Sequence, residues 1–210
     1  VSRLVVIALL WASLAYGVEK PTGMCSGAII APNRVLTAAH CFEPGEAPSP
    51  AFQAYISSVA GRVAVPAAPE EAVIVWDFKG RVEVEFADGQ KAAATVLKTG
   101  DSNHVDLAVL KVETGQRKAL PIADKVETPD VCIFVGAGGT DALKSMPCAL
   151  LPNGPDAQGH RRALGEVIPG DSGGPMITSG GLAAVVIGMQ RGLLVVEPSY
   201  RIIQFLKDLK

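Results

Sequence analysis

Pro169-Gly-Asp-Ser-Gly-Gly-Pro175 sets one serine in a glycine-rich turn. Its hydroxyl is open to approach, and glycines at 170, 173 and 174 let the backbone take conformations that a β-carbon penalises. Successive amides can then converge on one spot. An acyl-transfer nucleophile needs that arrangement, because the tetrahedral intermediate develops an oxyanion that preorganised N–H groups must meet. The amides of Gly170 and Ser172 are the candidates. A serine hydroxyl is a weak nucleophile near neutral pH, so a base must take its proton and a further group must orient that base. Thr37-Ala-Ala-His40-Cys41 supplies an imidazole at the end of a strand-like run. Asp106 heads the apolar run Leu107-Ala-Val-Leu110, where a carboxylate is partly buried and seeks a donor such as an imidazole N–H. The chain order His40, Asp106, Ser172 is one in which such triads occur.

Other chemistries fit these residues less well. Gly170-Asp-Ser-Gly-Gly174 also matches the G-x-S-x-G of esterases, which requires a helix after the serine and a histidine last in the chain. Here Pro175 and a strand-like run follow, and no histidine lies beyond His160. The glycines at 136, 138 and 139 lack the helix and Lys-Ser/Thr of a phosphate loop and read as a turn. No C-x-x-C or Cys/His cluster suggests zinc, and His104 and His160 read as surface residues. Neither metal nor organic cofactor is expected.

The elements that must position this chemistry read as short strands. Apolar or alternating runs occur at 27–31, 34–37, 72–76, 81–86, 93–97 and 107–112, then at 131–135, 175–178, 182–187 and 193–196. Arg81 to Phe86 alternates as a half-exposed strand, and Asp88-Gly89 signals a tight hairpin to the next. No βαβ alternation appears, so the class is all-β and antiparallel. Ile202, Ile203, Leu206 and Leu209 after Pro198-Ser199 predict one amphipathic C-terminal helix lying against the second lobe. Five prolines from Glu43 to Pro69 suggest a long surface excursion. A boundary near Gly115-Gln-Arg-Lys118 divides the strands into comparable sets, giving domains 18–115 and 116–210 after a leader at 1–17.

That leader rests on Arg3 before an apolar run ending in small residues, with Ala15-Tyr-Gly17 as a cleavage pattern. The run is shorter than the roughly 18 to 20 apolar residues a spanning helix needs, so no stable membrane span is expected after cleavage. The expected location is secreted or periplasmic. The 210 residues, 49% hydrophobic with 22 Gly and 15 Pro, suit one or two packed lobes. Nineteen basic residues face 21 acidic ones without a basic run, which argues against a nucleic-acid partner. Nothing in the sequence fixes the oligomeric state. Export would permit disulfides among the four cysteines, for which three pairings exist. Cys25–Cys41 would tie the loop carrying His40 to its neighbour, leaving Cys132 with Cys148.

Cys25-Ser-Gly-Ala-Ile-Ile, Leu36-Thr-Ala-Ala-His-Cys41, Asp106-Leu-Ala-Val-Leu-Lys111 and Gly170-Asp-Ser-Gly-Gly-Pro175 closely resemble trypsin-like peptidases, in the same order. Val82-Glu-Val-Glu-Phe-Ala-Asp-Gly89 and the acidic turn before Asp106 look more like the bacterial high-temperature-requirement proteases than the digestive enzymes. The resemblance implies two packed six-stranded antiparallel barrels, with His40 and Asp106 on the first, Ser172 on the second and a peptide substrate between them. It further implies a serine endopeptidase with an acyl-enzyme intermediate and an oxyanion hole from Gly170 and Ser172. Counting back by the family's spacing puts Glu166 near the base of the primary pocket and Arg191 near its wall. Digestive relatives are activated when a new Ile or Val terminus inserts beside the aspartate before the serine, here Asp171. Val18 would serve if cleavage followed Gly17. The competing implication is a protease-like peptide-binding or regulatory protein whose cleft is not activated.

Overall fold

The computed structural model describes residues 21–43, 68–126, 130–139 and 142–209. The leader at 1–17, Val18 and most of the proline-rich excursion lie outside the described residues. Six strands form the first barrel: β1 (Gly23–Ala31), β2 (Arg34–Thr37), β3 (Ala72–Phe78), β4 (Arg81–Phe86), β5 (Lys91–Thr99) and β6 (Ala108–Val112). They close antiparallel in the order β1-β2-β6-β5-β4-β3. The second barrel comprises β7 (Asp130–Gly136), β8 (Lys144–Leu150), β9 (Arg161–Leu164), β10 (Pro175–Thr178), β11 (Gly181–Gln190) and β12 (Leu193–Pro198), closed as β10-β11-β12-β9-β8-β7. The fold is the chymotrypsin-like pair of barrels with one C-terminal helix, α1 (Ser199–Leu206). Closure removes the open edges that a sheet would otherwise leave to be covered.

Alternation along each strand decides which core each residue joins. Val35 of β2 and Leu110 and Val112 of β6 point into the first barrel with Ile29, Val73, Val84 and Phe86. Their neighbours Leu36 and Val109 point the other way, into a layer shared with Leu182, Val185, Ile202 and Phe205. Both faces of the central residues of β2 and β6 are thus buried, apart from the exposed Lys111, which is why these strands read as short apolar runs. Phe134, Leu150, Met176, Leu194 and Val196 fill the second barrel.

Two strands escaped the sequence reading. β8 contains Pro147 and β9 is Arg-Arg-Ala-Leu, so neither offers an apolar run. Proline is tolerated because β9 pairs only with Ala149 and Leu150, leaving no strand on that side of Pro147 to receive an N–H. The helix packs on β11 and β12, as expected for the second lobe. Its C-terminal end is held by the first barrel as well. Lys98 of β5 donates to the Phe205 carbonyl at 2.6 Å and Arg34 of β2 to that of Leu209 at 2.9 Å, placing two cations at the negative end of the helix.

Candidate active site

His40 stands in a 3₁₀ turn, Ala39–Phe42, directly after β2. The Cys25–Cys41 bridge ties this turn to β1, and Cys132–Cys148 links directly opposed residues of β7 and β8. Asp106 is buried and receives the histidine twice. Its Oδ1 accepts the His40 backbone N–H at 2.9 Å, and its Oδ2 lies 2.6 Å from His40 Nδ1. An ionised carboxylate is only an acceptor, so this contact fixes the proton on Nδ1 and leaves Nε2 as the ring's lone pair. Burial alone would lower the His40 pKa, but the Asp106 hydrogen bond, its charge and that of Glu43 outweigh burial and raise it.

The aspartate owes its place to a tight local fold. The Asp101 carbonyl accepts the amides of His104 and Val105, and Leu107 N–H turns back to the Val105 carbonyl. The Asp106 amide, left outside that turn, donates to Glu197 Oε1 at 2.9 Å.

Ser172 is half-buried at the apex of a loop anchored on both sides. Gly173 N–H donates to the Val186 carbonyl and Val186 N–H to that of Gly174, while the Ser172 carbonyl accepts Ser26 N–H at 2.7 Å. A β-carbon at Gly173 would strike Ser26 O and Thr37 Oγ1 and lie 2.9 Å from the Ala38 amide. This close approach sets the Ser172 loop against the residues preceding His40. Ser26, which the sequence reading missed, is fully buried; its hydroxyl donates to the Gly170 carbonyl at 2.8 Å and accepts Ala137 N–H at 2.9 Å. Nothing in its own codon context marks it, since its partners are 111 and 144 residues away.

The glycines at 136 and 138 form the wall that receives Asp171. Gly138 N–H donates to Asp171 Oδ1 at 2.7 Å and Ile168 N–H to Oδ2 at 2.9 Å. A β-carbon at Gly138 would stand 2.6 Å from the carboxylate. Burial pushes the Asp171 pKa up to about 6, against the pull of these two amides and of Lys144. Gly139 N–H points at the Pro169 carbonyl, 3.3 Å away. Because a trans peptide is planar, the Gly170 N–H projects opposite that carbonyl, away from Gly139. From Ile168 to Gly174 the amides of 168, 171, 173 and 174 all have acceptors within the protein. Among the described residues, those of Gly170 and Ser172 have none.

Glu166 is exposed between β9 and the serine loop, and Arg191 is exposed at the tip of the β11–β12 hairpin with φ 54. Neither makes an ion pair or hydrogen bond among the described residues. His104 is a surface residue paired with Asp101, as read from the sequence. His160 is not: it is buried beside Glu197, because the turn at 156–160 folds under the end of the helix. The one described grouping of three potential metal ligands, Cys25, His40 and Cys41, has both sulfurs committed to a disulfide and Nδ1 committed to Asp106. No helix among the described residues is long and apolar enough to cross a membrane.

Known proteins share this fold. Residues 25–189 match the trypsin-like peptidase domain family. No curated protein sequence matches the chain. Among solved structures, an inactive form of Rv3671c from M. tuberculosis H37Rv is 23% identical with a TM-score of 0.57, over 86% of this chain and 78% of that one. A serine endoprotease from Yersinia pestis is 15% identical with a TM-score of 0.65, over 90% and 58% of the two chains. The HtrA-type protease AlgW, solved with a tripeptide, is 18% identical with a TM-score of 0.62, over 89% and 56%. The chain therefore spans less than three fifths of the length of the last two. At such identities these likenesses speak for the fold, whereas the family match covers most of the sequence: the chain belongs to the trypsin-like peptidases.

Proposed function

We propose that this protein cleaves peptide bonds with Ser172 as nucleophile, His40 as general base and acid, and Asp106 as the group that orients His40. The carrying observation is the pairing of a histidine whose free lone pair is Nε2 with two amides, Gly170 and Ser172, that donate to nothing among the described residues. Ser172 Oγ attacks the substrate carbonyl while its proton passes to Nε2. The developing oxyanion accepts hydrogen bonds from the Gly170 and Ser172 amides. The imidazolium then protonates the leaving amine as the C–N bond breaks, giving an acyl-enzyme. Water attacks the acyl carbonyl, His40 takes its proton and returns it to Ser172, and the acid departs.

Ser172 and His40 make no hydrogen bond to each other here; such contacts are often long in free enzymes and tighten with substrate. The Pro169 carbonyl, turned in to Gly139 N–H so that the Gly170 N–H projects the other way, supports an open oxyanion site over the collapsed cleft of a pure binding protein. Peptide substrates are assigned by this reading, and AlgW was solved with a tripeptide. Glu166 and Arg191, both exposed charges, are the candidates for selecting the substrate side chain. The apolar segment before Ala15 and the two bridges support an exported, secreted or periplasmic protein. A fluorophosphonate followed by intact mass tests the reading. One adduct on the wild type and none on Ser172→Ala is expected; a folded wild type that takes no adduct refutes it.

A further inference from the structure

We propose that Glu197 is a positioning residue for the triad: its Oε1, accepting the Asp106 backbone N–H, registers the acid's loop on the barrel that carries Ser172. The inference rests on the protease reading above. Asp106 and His40 belong to the first barrel and Ser172 to the second, so catalysis requires some bond to set one against the other. Apolar contacts between the barrels, such as Leu36 and Val109 against Leu182 and Val185, are non-directional, and the Ser26 bonds fix the serine loop to β1 but leave the Asp106 loop unheld. Glu197 is directional. It follows Val196 on β12, and Val196 pairs with Val186, the residue that exchanges two hydrogen bonds with Gly173 and Gly174. The nucleophile's loop and the carboxylate holding Asp106 therefore hang on adjacent strands, two rungs of one ladder. The bond itself is 2.9 Å long, and Glu197 is fully buried.

A buried carboxylate needs compensation, and a neighbouring cation supplies it as an ion pair, although Oε2 itself makes no hydrogen bond. Arg201, one turn along α1, places Nε 2.9 Å from Oε2. The same guanidinium donates closely to the carbonyls of Gln158 and His104, the latter two residues before Asp106. His160 Nε2 lies 3.4 Å from Oε1, and its Nδ1 faces Asp156, which also pairs with Arg162. Burial nonetheless pushes the Glu197 pKa up to about 7, helped by the charges of Asp106 and Asp156 and opposed by the Asp106 amide and Arg201. Protonation leaves a carbonyl oxygen, so the acceptor for Asp106 survives it.

An amide oxygen should therefore rescue what a hydrocarbon cannot. Fluorophosphonate labelling at Ser172 is compared for the full-length wild type, Glu197→Gln and Glu197→Leu. Alongside it, NMR follows the low-field His40 Nδ1 proton and exchange of the Asp106 amide. Glu197→Gln should label within about 10-fold of wild type, and Glu197→Leu should fall on the order of 10²-fold, the penalty of a small misplacement of a catalytic group. The low-field proton should persist in the first variant and vanish in the second. Leu at wild-type rate with that proton intact, or Gln as impaired as Leu, overturns the proposal. Should Glu197→Leu fail to fold, rapid exchange of the Asp106 amide in the wild type overturns it instead. A wild type without an adduct at Ser172 sinks the protease reading itself, a different failure from either.

Discussion

Asp106→Asn changes one atom, and the geometry of the pair determines what that atom does. Two donors arrive at the carboxylate: the His40 backbone N–H at Oδ1 and the imidazole at Oδ2. Asparagine offers one acceptor and one donor. If its oxygen stays with the backbone N–H, its NH₂ faces Nδ1, which must become an acceptor, and the ring proton moves to Nε2. That histidine cannot take a proton from Ser172. If the side chain flips, the correct tautomer is kept but a buried backbone N–H confronts another donor. Leaving a buried donor unpaired costs ~1–3 kcal/mol, so the productive tautomer falls roughly 5- to 150-fold. Losing the charge beside the imidazolium formed in the transition state removes at least about another tenfold. Multiplied, the two factors give an expected loss of roughly 50- to 1500-fold in the labelling rate. The assay is the second-order rate of fluorophosphonate adduct formation at pH 8, with thermal melting to establish folding. A folded variant that labels within about tenfold of wild type would refute the tautomer argument. The pair also carries a pH signature. The His40 pKa is raised on folding, so its stabilisation is fully present below the unfolded value and lost as pH rises through the folded one. The wild type should therefore exceed Asp106→Asn in stability by more at pH 5.5 than at pH 8, both values being about a unit or more from the ordinary histidine pKa.

Asp171→Asn leaves either Gly138 or Ile168 N–H without an acceptor, so stability should fall by ~1–3 kcal/mol in urea titrations. The Asp171 pKa is raised to about 6, so the wild-type carboxyl loses its contribution as pH rises through that value. The gap between wild type and variant should then narrow from pH 4 to pH 6.5 (about the span of the shift), and a constant gap would contradict this. Lys98→Met removes the donor to the Phe205 carbonyl and the ammonium 4.5 Å above its ring, which should lower Tm by ~2–4 °C, for a loss of about 1 kcal/mol. Ile202→Ala opens a cavity in the shared layer between the barrels, and its urea midpoint should drop by the equivalent of ~2–5 kcal/mol with an unchanged slope.

Much of the scaffold was legible because closed barrels leave a strong local imprint. Arg81 to Phe86 shows its buried and exposed faces by alternation, and Asp88-Gly89 turns the chain where the hairpin turns. The helix showed itself through Ile202 and its helical neighbours. β8 and β9 did not, because a strand whose outer face meets solvent and whose partner is short can hold proline and arginine without an apolar run. The glycines at 136 and 138 read as a turn, and only the approach of Asp171 gives their missing β-carbons a purpose.

The chemistry divides along the same line. Residue type and local context singled out Ser172, His40 and Asp106 as candidates: a serine among glycines, a histidine at a strand end and a carboxylate heading an apolar strand. The same rule applied to Glu197, a lone acid between Val196 and Pro198, would have picked it out as a buried charge but not said what it holds. That Ser26 braces the serine loop and that Glu197 holds the Asp106 amide are decided by tertiary structure alone. These partners lie 144 and 91 residues apart, and hydrogen bonds act over about 3 Å, so no sequence neighbourhood can encode them until two barrels close and pack.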